Sequence, residues 1–211
     1  LEHIGEEIPF QVYGSLGMQH AYNYAAAIAV GAQFDVALFD AAKALASHMP
    51  PPGRMRIIEG KNHTLVLDDT YNSSPVAVQQ ALQTVKDLTG VGKKIVVLGD
   101  MLELGRYSVR EHERVGEQVA TSADVLMTLG VRSRKIAEGA LENGMNEKVI
   151  LQYDDIDRAG KELLEIMEPG DVILIKASQG MRAEKLVARI MEHPDQAKDM
   201  LCRQSKVWLR K

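Results

Sequence analysis

The densest chemistry in this 211-residue sequence lies in Asp68-Asp69-Thr70-Tyr71-Asn72-Ser73-Ser74-Pro75. Two carboxylates, a phenol, an amide and three hydroxyls follow the short apolar run Thr64–Leu67. A carboxylate there could accept hydrogen bonds from a ribose or help anchor a metal-bound phosphate. Side chains of an extended chain alternate faces, so at most one of the two aspartates should face a given ligand. The stretch also reads as a solvated turn in which Ser74 caps the next helix, with Pro75 at its first position.

Three further stretches carry polar chemistry. Leu98-Gly99-Asp100-Met101-Leu102-Glu103-Leu104-Gly105 has glycines that permit sharp turns. Asp100 and Glu103 are either surface charges or groups that position an amine. Lys176-Ala177-Ser178-Gln179-Gly180-Met181-Arg182 sets a cation and a hydroxyl before a helix, where they could hold a carboxylate or phosphate. The alternative is a Ser178 cap beside a surface lysine. Gly53-Arg54 offers a guanidinium suited to bidentate phosphate contacts, although a lone arginine is more often a surface residue.

Other chemistries are excluded or unsupported. Gly90-Val91-Gly92-Lys93 lacks the Walker spacing and precedes a strand, and no GxGxxG occurs. The six histidines show no HExxH spacing, so no metal site is expected. One cysteine, Cys202, rules out an internal disulfide. Basic and acidic residues are interspersed at net charge −4, which gives no footprint for nucleic acid. Apolar runs such as Ile95–Leu98 and Val172–Ile175 are far too short to span a bilayer. The opening Leu-Glu-His-Ile-Gly-Glu-Glu has neither the basic nor the apolar region of a signal peptide, so a cytoplasmic location is expected.

The elements that must position these residues fall into two regimes. Pro50-Pro51-Pro52-Gly53 must be extended and reads as a domain boundary. Before it, Pro9–Leu16 is a strand candidate, and Gln19–Gly31 and Val36–Ser47 are alanine-rich helices. After it, strands are predicted at Thr64–Leu67, Lys94–Leu98, Val125–Leu129, Val149–Gln152 and Asp171–Lys176. Amphipathic helices intervene, one carrying Val78, Ala81, Leu82, Val85 and Leu88, another Ile156, Ala159, Leu163, Leu164 and Met167. Ser108-Val109-Arg110-Glu111 fits a capping box. The alternation predicts an α/β fold with a doubly wound, mostly parallel sheet, whose ligands sit beyond the carboxyl ends of the strands.

Together these segments resemble the Mur ligase family, and its MurF type most closely. The resemblance rests on Gly17-Met18-Gln19-His20-Ala21-Tyr22-Asn23 with Ala25-Ala26-Ala27, and on Pro51-Pro52-Gly53-Arg54-Met55. It continues through Asp68-Asp69-Thr70-Tyr71-Asn72, the Gly99–Gly105 run with Ser108 and His112, and Lys176–Arg182. It implies an ATP-dependent ligase that joins D-Ala-D-Ala to UDP-N-acetylmuramoyl-tripeptide through an acyl phosphate. It also implies that residues 1–50 end a central ATPase domain and that residues 53–211 form a Rossmann-like C-terminal domain. The P-loop and the main ligands of Mg2+ are expected upstream of Leu1, so this chain alone is expected not to catalyse ligation. The resemblance implies that Asn23 lies near the adenine, that Arg54 reaches ATP phosphate, and that Asp69 binds the ribose or orients the nucleotide. Tyr71, Asn72, Lys176 and Ser178 are expected to face the reacting groups or the dipeptide.

Some positions depart from the family pattern. Ser74 replaces the second Asn of Asn-Ala-Asn-Pro, and Ala177 and Gln179 replace the Gly and Arg of Lys-Gly-Ser-Arg. The lost arginine removes a potential carboxylate contact, for which Arg182 is the available substitute. Other Mur-type, folylpolyglutamate-type or cyanophycin-type ligases share much of the pattern. A non-catalytic nucleotide- or peptide-binding module is the reading from a different class.

Overall fold

A computed structural model describes residues 2–3, 6–14 and 16–210. The first part holds a two-residue pairing of β1 (Glu2–His3) with β2 (Glu6–Glu7), followed by α1 (Met18–Ala32) and α2 (Leu38–Ala46). The strand expected at Pro9–Leu16 does not form. Its described residues are irregular and Ser15 lies outside the described residues. Among the described residues no strand pairs with that backbone, and Tyr13 N–H donates to Ala46 O at the end of α2 instead.

The remainder is β3 (Arg56–Gly60), β4 (Thr64–Asp69), α3 (Pro75–Asp87), β5 (Lys94–Gly99), α4 (Ser108–Val119), β6 (Val125–Leu129), α5 (Arg134–Glu142), β7 (Ile150–Tyr153), α6 (Ile156–Ile166), β8 (Val172–Lys176), α7 (Glu184–Ile190), α8 (Ala197–Met200) and α9 (Lys206–Leu209). Six strands form one sheet in the order β3-β4-β8-β5-β6-β7, parallel except where β3 pairs antiparallel with β4. The doubly wound, mostly parallel sheet is as expected.

Strand alternation explains the layers. Ile173 and Ile175 of β8 pack with Leu163 of α6 and Leu186, Val187 and Ile190 of α7. Val172 and Leu174 face the other way, against Val78 and Leu82 of α3, Val115 of α4 and Ile136 of α5. Both faces of β8 are therefore buried, which is why its sequence reads as an unbroken apolar run. Helices α4 and α5 approach closely at Gly116, where an added methyl would come within 2.6 Å of Ala140 N.

Two expected caps take other forms. Ser74 stands at the N-cap of α3 and Pro75 at its first position, but the Ser74 hydroxyl makes no capping bond. Ser108 is the first residue of α4 and Tyr107 its N-cap, so the capping box does not form. The Ser108 carbonyl instead accepts from His112 Nδ1 at 2.6 Å, while His112 Nε2 accepts from Met101 N–H at 3.0 Å. This buried ring is thus neutral with its proton on Nδ1, and burial holds its pKa below the ordinary histidine value. Among the described residues no helix is long and apolar enough to cross a membrane.

Candidate functional site

The parallel register of β4 and β8 sets Asp69 directly beside Lys176 at the carboxyl ends of both strands. Lys176 Nζ lies 2.6 Å from Asp69 Oδ2 and donates to Asn72 O at 3.0 Å. Both side chains are buried, which corrects the reading of Lys176 as a surface lysine. An ammonium has three donors, and these two contacts use two of them.

The adjacent aspartates do diverge, but both turn into structure. Asp68 Oδ2 accepts from Gly53 N–H at 3.0 Å, and its Oδ1 accepts from Thr70 N–H and hydroxyl at 3.2 and 2.6 Å. Burial outweighs these donors and pushes its carboxyl up to about 6. Asp69 Oδ1 accepts from Met55 N–H at 3.2 Å. Together the pair bolts the residues after the triple proline to the strand end. Gly53 adopts φ 74°, and a side chain there would meet Tyr71 N at 2.8 Å, so only glycine fits this crossing. Any hinge at the boundary therefore lies before Gly53.

Two clefts open beside this pair. The first, of about 430 Å³, lies between α1 and the strand ends, and is lined by His20, Asn23, Arg54, Asp69, Asn72 and Lys176 among others. His20 Nε2 is buried without a hydrogen-bond partner among the described residues, and burial lowers its pKa. The second, of about 750 Å³, runs between the loops after β4, β5 and β8, and includes Leu102, Glu103, Ser178, Gln179, Arg182 and Trp208. Asn72, Ser73 and Ser74 line both clefts. Ser73 is 5% exposed, yet its hydroxyl has no partner among the described residues. A buried, unsatisfied hydroxyl at the junction of two clefts is a position where a ligand would recover a lost hydrogen bond.

The expected site residues divide between the clefts. Asn23, Arg54, Asp69 and Lys176 share the first, Ser178 lines the second, and Asn72 lines both. Tyr71 lines neither. Its ring lies under the Arg54 guanidinium at 4.1 Å, its carbonyl accepts from Arg203, and it is 44% exposed. Ser178 is not a side-chain cap: its Oγ accepts from Leu102 N–H at 2.8 Å and contacts Ser73 O at 3.4 Å, joining the loops around the second cleft. Asp100 is neither a surface charge nor poised for an amine. It is buried, its Oδ1 accepts from Ser133 N–H at 2.8 Å, and Arg132 lies 3.5 Å from Oδ2. Glu103 is exposed at the mouth of the second cleft.

Sequence reasoning missed His20 as a cleft residue, and it missed Glu184, Arg203 and Trp208. Glu184 is buried and takes Arg182 Nε at 2.5 Å and Arg203 Nη1 at 3.0 Å. Arg203 also donates to Thr70 O at 3.0 Å, tying the C-terminal tail to the loop after β4. Trp208 is the one tryptophan in the sequence, and that rarity beside a basic tail was the available signal. Among the described residues no three His, Cys, Asp or Glu side chains come together to hold a metal ion. Both aspartates spend their oxygens on N–H groups, Thr70 and Lys176, so these residues do not fit a magnesium ion.

Known proteins are similar to this chain in sequence and fold. The family model "Mur ligase, glutamate ligase domain" matches residues 53–179, more than half of the chain. A curated UDP-N-acetylmuramoyl-tripeptide–D-alanyl-D-alanine ligase of Bacillus subtilis is 37% identical over 182 residues, covering 85% of this chain and 39% of the relative. A crystal structure of MurF ligase from Thermotoga maritima in complex with ADP superposes with a TM-score of 0.70 at 30% identity, covering 85% of this chain and 39% of that one. MurF from Acinetobacter baumannii gives a TM-score of 0.70 at 29% identity, covering 82% and 37%. The chain thus spans about two fifths of the length of these relatives. With the family model covering the strand ends, both aspartates and the Lys176 loop, this chain belongs to the Mur ligase family.

Proposed function

We propose that this chain is the C-terminal part of an ATP-dependent amide ligase that adds D-Ala-D-Ala to UDP-N-acetylmuramoyl-tripeptide in cytoplasmic peptidoglycan precursor synthesis. The observation that carries the reading is the pair of clefts sharing Asn72–Ser74 beside the Asp69–Lys176 pair. A ligase of this kind must bring a nucleotide and an acceptor to one reacting carboxylate, and two clefts meeting at one strand-end loop provide that geometry. The likeness to the Bacillus subtilis ligase and to the ADP-bound Thermotoga maritima enzyme supports the choice of substrates.

In this reading residues 1–50 close a central ATPase domain and residues 53–211 form the C-terminal domain. The first cleft takes ATP, with Asn23 toward the base, Arg54 toward the phosphates and Asp69 toward the ribose. The second takes the dipeptide. The terminal phosphoryl group passes from ATP to an oxygen of the tripeptide carboxylate, releasing ADP. The dipeptide amine then attacks the acyl carbon, the bond to the phosphate oxygen breaks, inorganic phosphate leaves and the amine loses its proton. Lys176 contributes positive charge, and Tyr71 and Asn72 on the loop after β4 and Ser178 on the loop after β8 contribute position, with no covalent attachment to the protein. Magnesium accompanies the nucleotide, and its protein ligands belong to other parts of the ligase.

The test is phosphate release from ATP by the whole ligase with UDP-N-acetylmuramoyl-tripeptide, with and without D-Ala-D-Ala. Dipeptide-dependent turnover is expected, and it should collapse in Asp69→Ala. Turnover only with a different acceptor would move the specificity to another Mur-type reaction. No turnover with any acceptor would leave a nucleotide- or peptide-binding module.

A further inference from the structure

The acceptor reading of the second cleft has a gap, because Gln179 cannot pair with a carboxylate as an arginine could. The cleft lining contains two charged residues, Glu103 and Arg182. Arg182 is 9% exposed and sits at φ 57°, a backbone conformation that side chains other than glycine adopt rarely. Three contacts hold it there. Its Nε meets Glu184 at 2.5 Å, its Nη1 donates to Trp208 O at 2.9 Å, and its guanidinium lies 5.3 Å from the centre of the Trp208 ring.

Charge balance gives this cluster a direction. Glu184 receives Arg182 and Arg203 together, so two guanidinium groups share one buried carboxylate. Among the described residues this cluster keeps one positive charge in excess, at the wall of a cleft whose remaining lining is hydroxyls, amides, the carboxylate of Glu103 and the apolar side chains of Leu102 and Leu104. A buried group of this kind favours a negatively charged partner. Glu103, the cleft's carboxylate, is exposed and on the loop after β5, apart from the Arg182 wall after β8. One fixed cation and one anion on separate loops suit a zwitterion whose ammonium and carboxylate are separated by a short apolar stretch.

Resting on the reading of this cleft as the acceptor subsite, we propose that Arg182 binds the acceptor's carboxylate and that Trp208 walls in its terminal residue. Specificity for a free carboxyl terminus is then read partly by residues beyond the family match at 53–179, including a tail that Arg203 fastens to the loop after β4. The lost family arginine at Gln179 is replaced from three positions further on, by a side chain with the same bidentate fork.

Calorimetric titration of the chain with D-Ala-D-Ala and with its C-terminal amide tests this, each variant being checked by its melting curve. The wild-type chain is expected to bind the carboxylate form at least about tenfold more tightly than the amide. Arg182→Gln should bring that ratio close to one while leaving ADP affinity unchanged. Arg182→Lys keeps the charge and the Glu184 pair, so it remains informative if the glutamine variant does not fold; it should lower the ratio about threefold. Trp208→Ala should weaken both ligands together. An unchanged ratio in Arg182→Gln or in Arg182→Lys overturns the assignment while the acceptor reading stands. Binding of neither dipeptide by the wild-type chain overturns the acceptor reading itself, and the assignment with it.

Discussion

The helical arm at residues 16–49 and the α/β body from residue 53 are built to different standards. In α1, fifteen residues long, only Tyr24 and Ile28 are buried, and α2 buries Leu38 and Ala42. Met18, Tyr22, Phe34 and Phe39 stay exposed, and the arm's interior is a small aromatic contact of Tyr24 with Phe10 and His48. The body buries β8 on both faces and packs helices against each side of its sheet. Yet the arm supplies His20 and Asn23 to the first cleft. Part of the first cleft's wall therefore stands on an element with little core of its own. Most of the buried core lies in the body, and local opening should cost least in the arm.

The largest effect that would sharpen this contrast is at the buried ion pair. Lys176→Met leaves Asp69 buried without its cation and should cost about 4 kcal/mol in chemical denaturation of the body. A loss below about 1 kcal/mol would mean that the strand ends are far better solvated than their burial indicates.

Acidity gives the next effect. Asp68 in the folded chain holds its proton up to about 6, above the 3.8 of an unperturbed aspartate. Between those values the native state binds more protons than the unfolded one, so stability is full below pH 4 and declines as pH rises through 6. The loss amounts to about 3 kcal/mol. Melting curves from pH 4 to 7 should show it, and Asp68→Asn should flatten that slope. His112 contributes with the opposite sign, since its lowered pKa favours folding at higher pH and loses that contribution as pH falls.

The smallest effect belongs to the arm. Phe39 is 65% exposed, and Phe39→Ala should change global stability by no more than about 0.5 kcal/mol. Amide exchange should be faster throughout α1 and α2 than in β4, β5 and β8, and equal protection would erase the distinction between arm and body.

These differences also explain what could be read from residue order. Strand β8 was legible because burial on both faces leaves an unbroken Val-Ile-Leu-Ile run. Strand β3 was not: Arg56, Glu59 and Gly60 interrupt its apolar residues, and its position as an antiparallel edge depends on pairing with β4. Lys176 was recognisable as a cation at a strand end, but its partner lies 107 positions away and no local pattern encodes that distance. Asp100 was misread for the same reason, since its acceptor role is fixed by Ser133 in a different loop. Four-residue helices such as α8 and α9 carry too little periodicity to be seen, which hid the tail that brings Arg203 and Trp208 to the site.

In the proposed ligase, two ligands meet at the loop carrying Asn72, Ser73 and Ser74. Amide chemical-shift mapping of the isotope-labelled chain, titrated separately with ADP and with D-Ala-D-Ala, tests this most directly. ADP is expected to shift His20, Asn23 and Lys176, the dipeptide to shift Leu102–Leu104 and Gln179–Arg182, and both to shift Asn72–Ser74. Overlapping footprints for the two ligands across one cleft, or separate footprints that leave Asn72–Ser74 untouched, would contradict it.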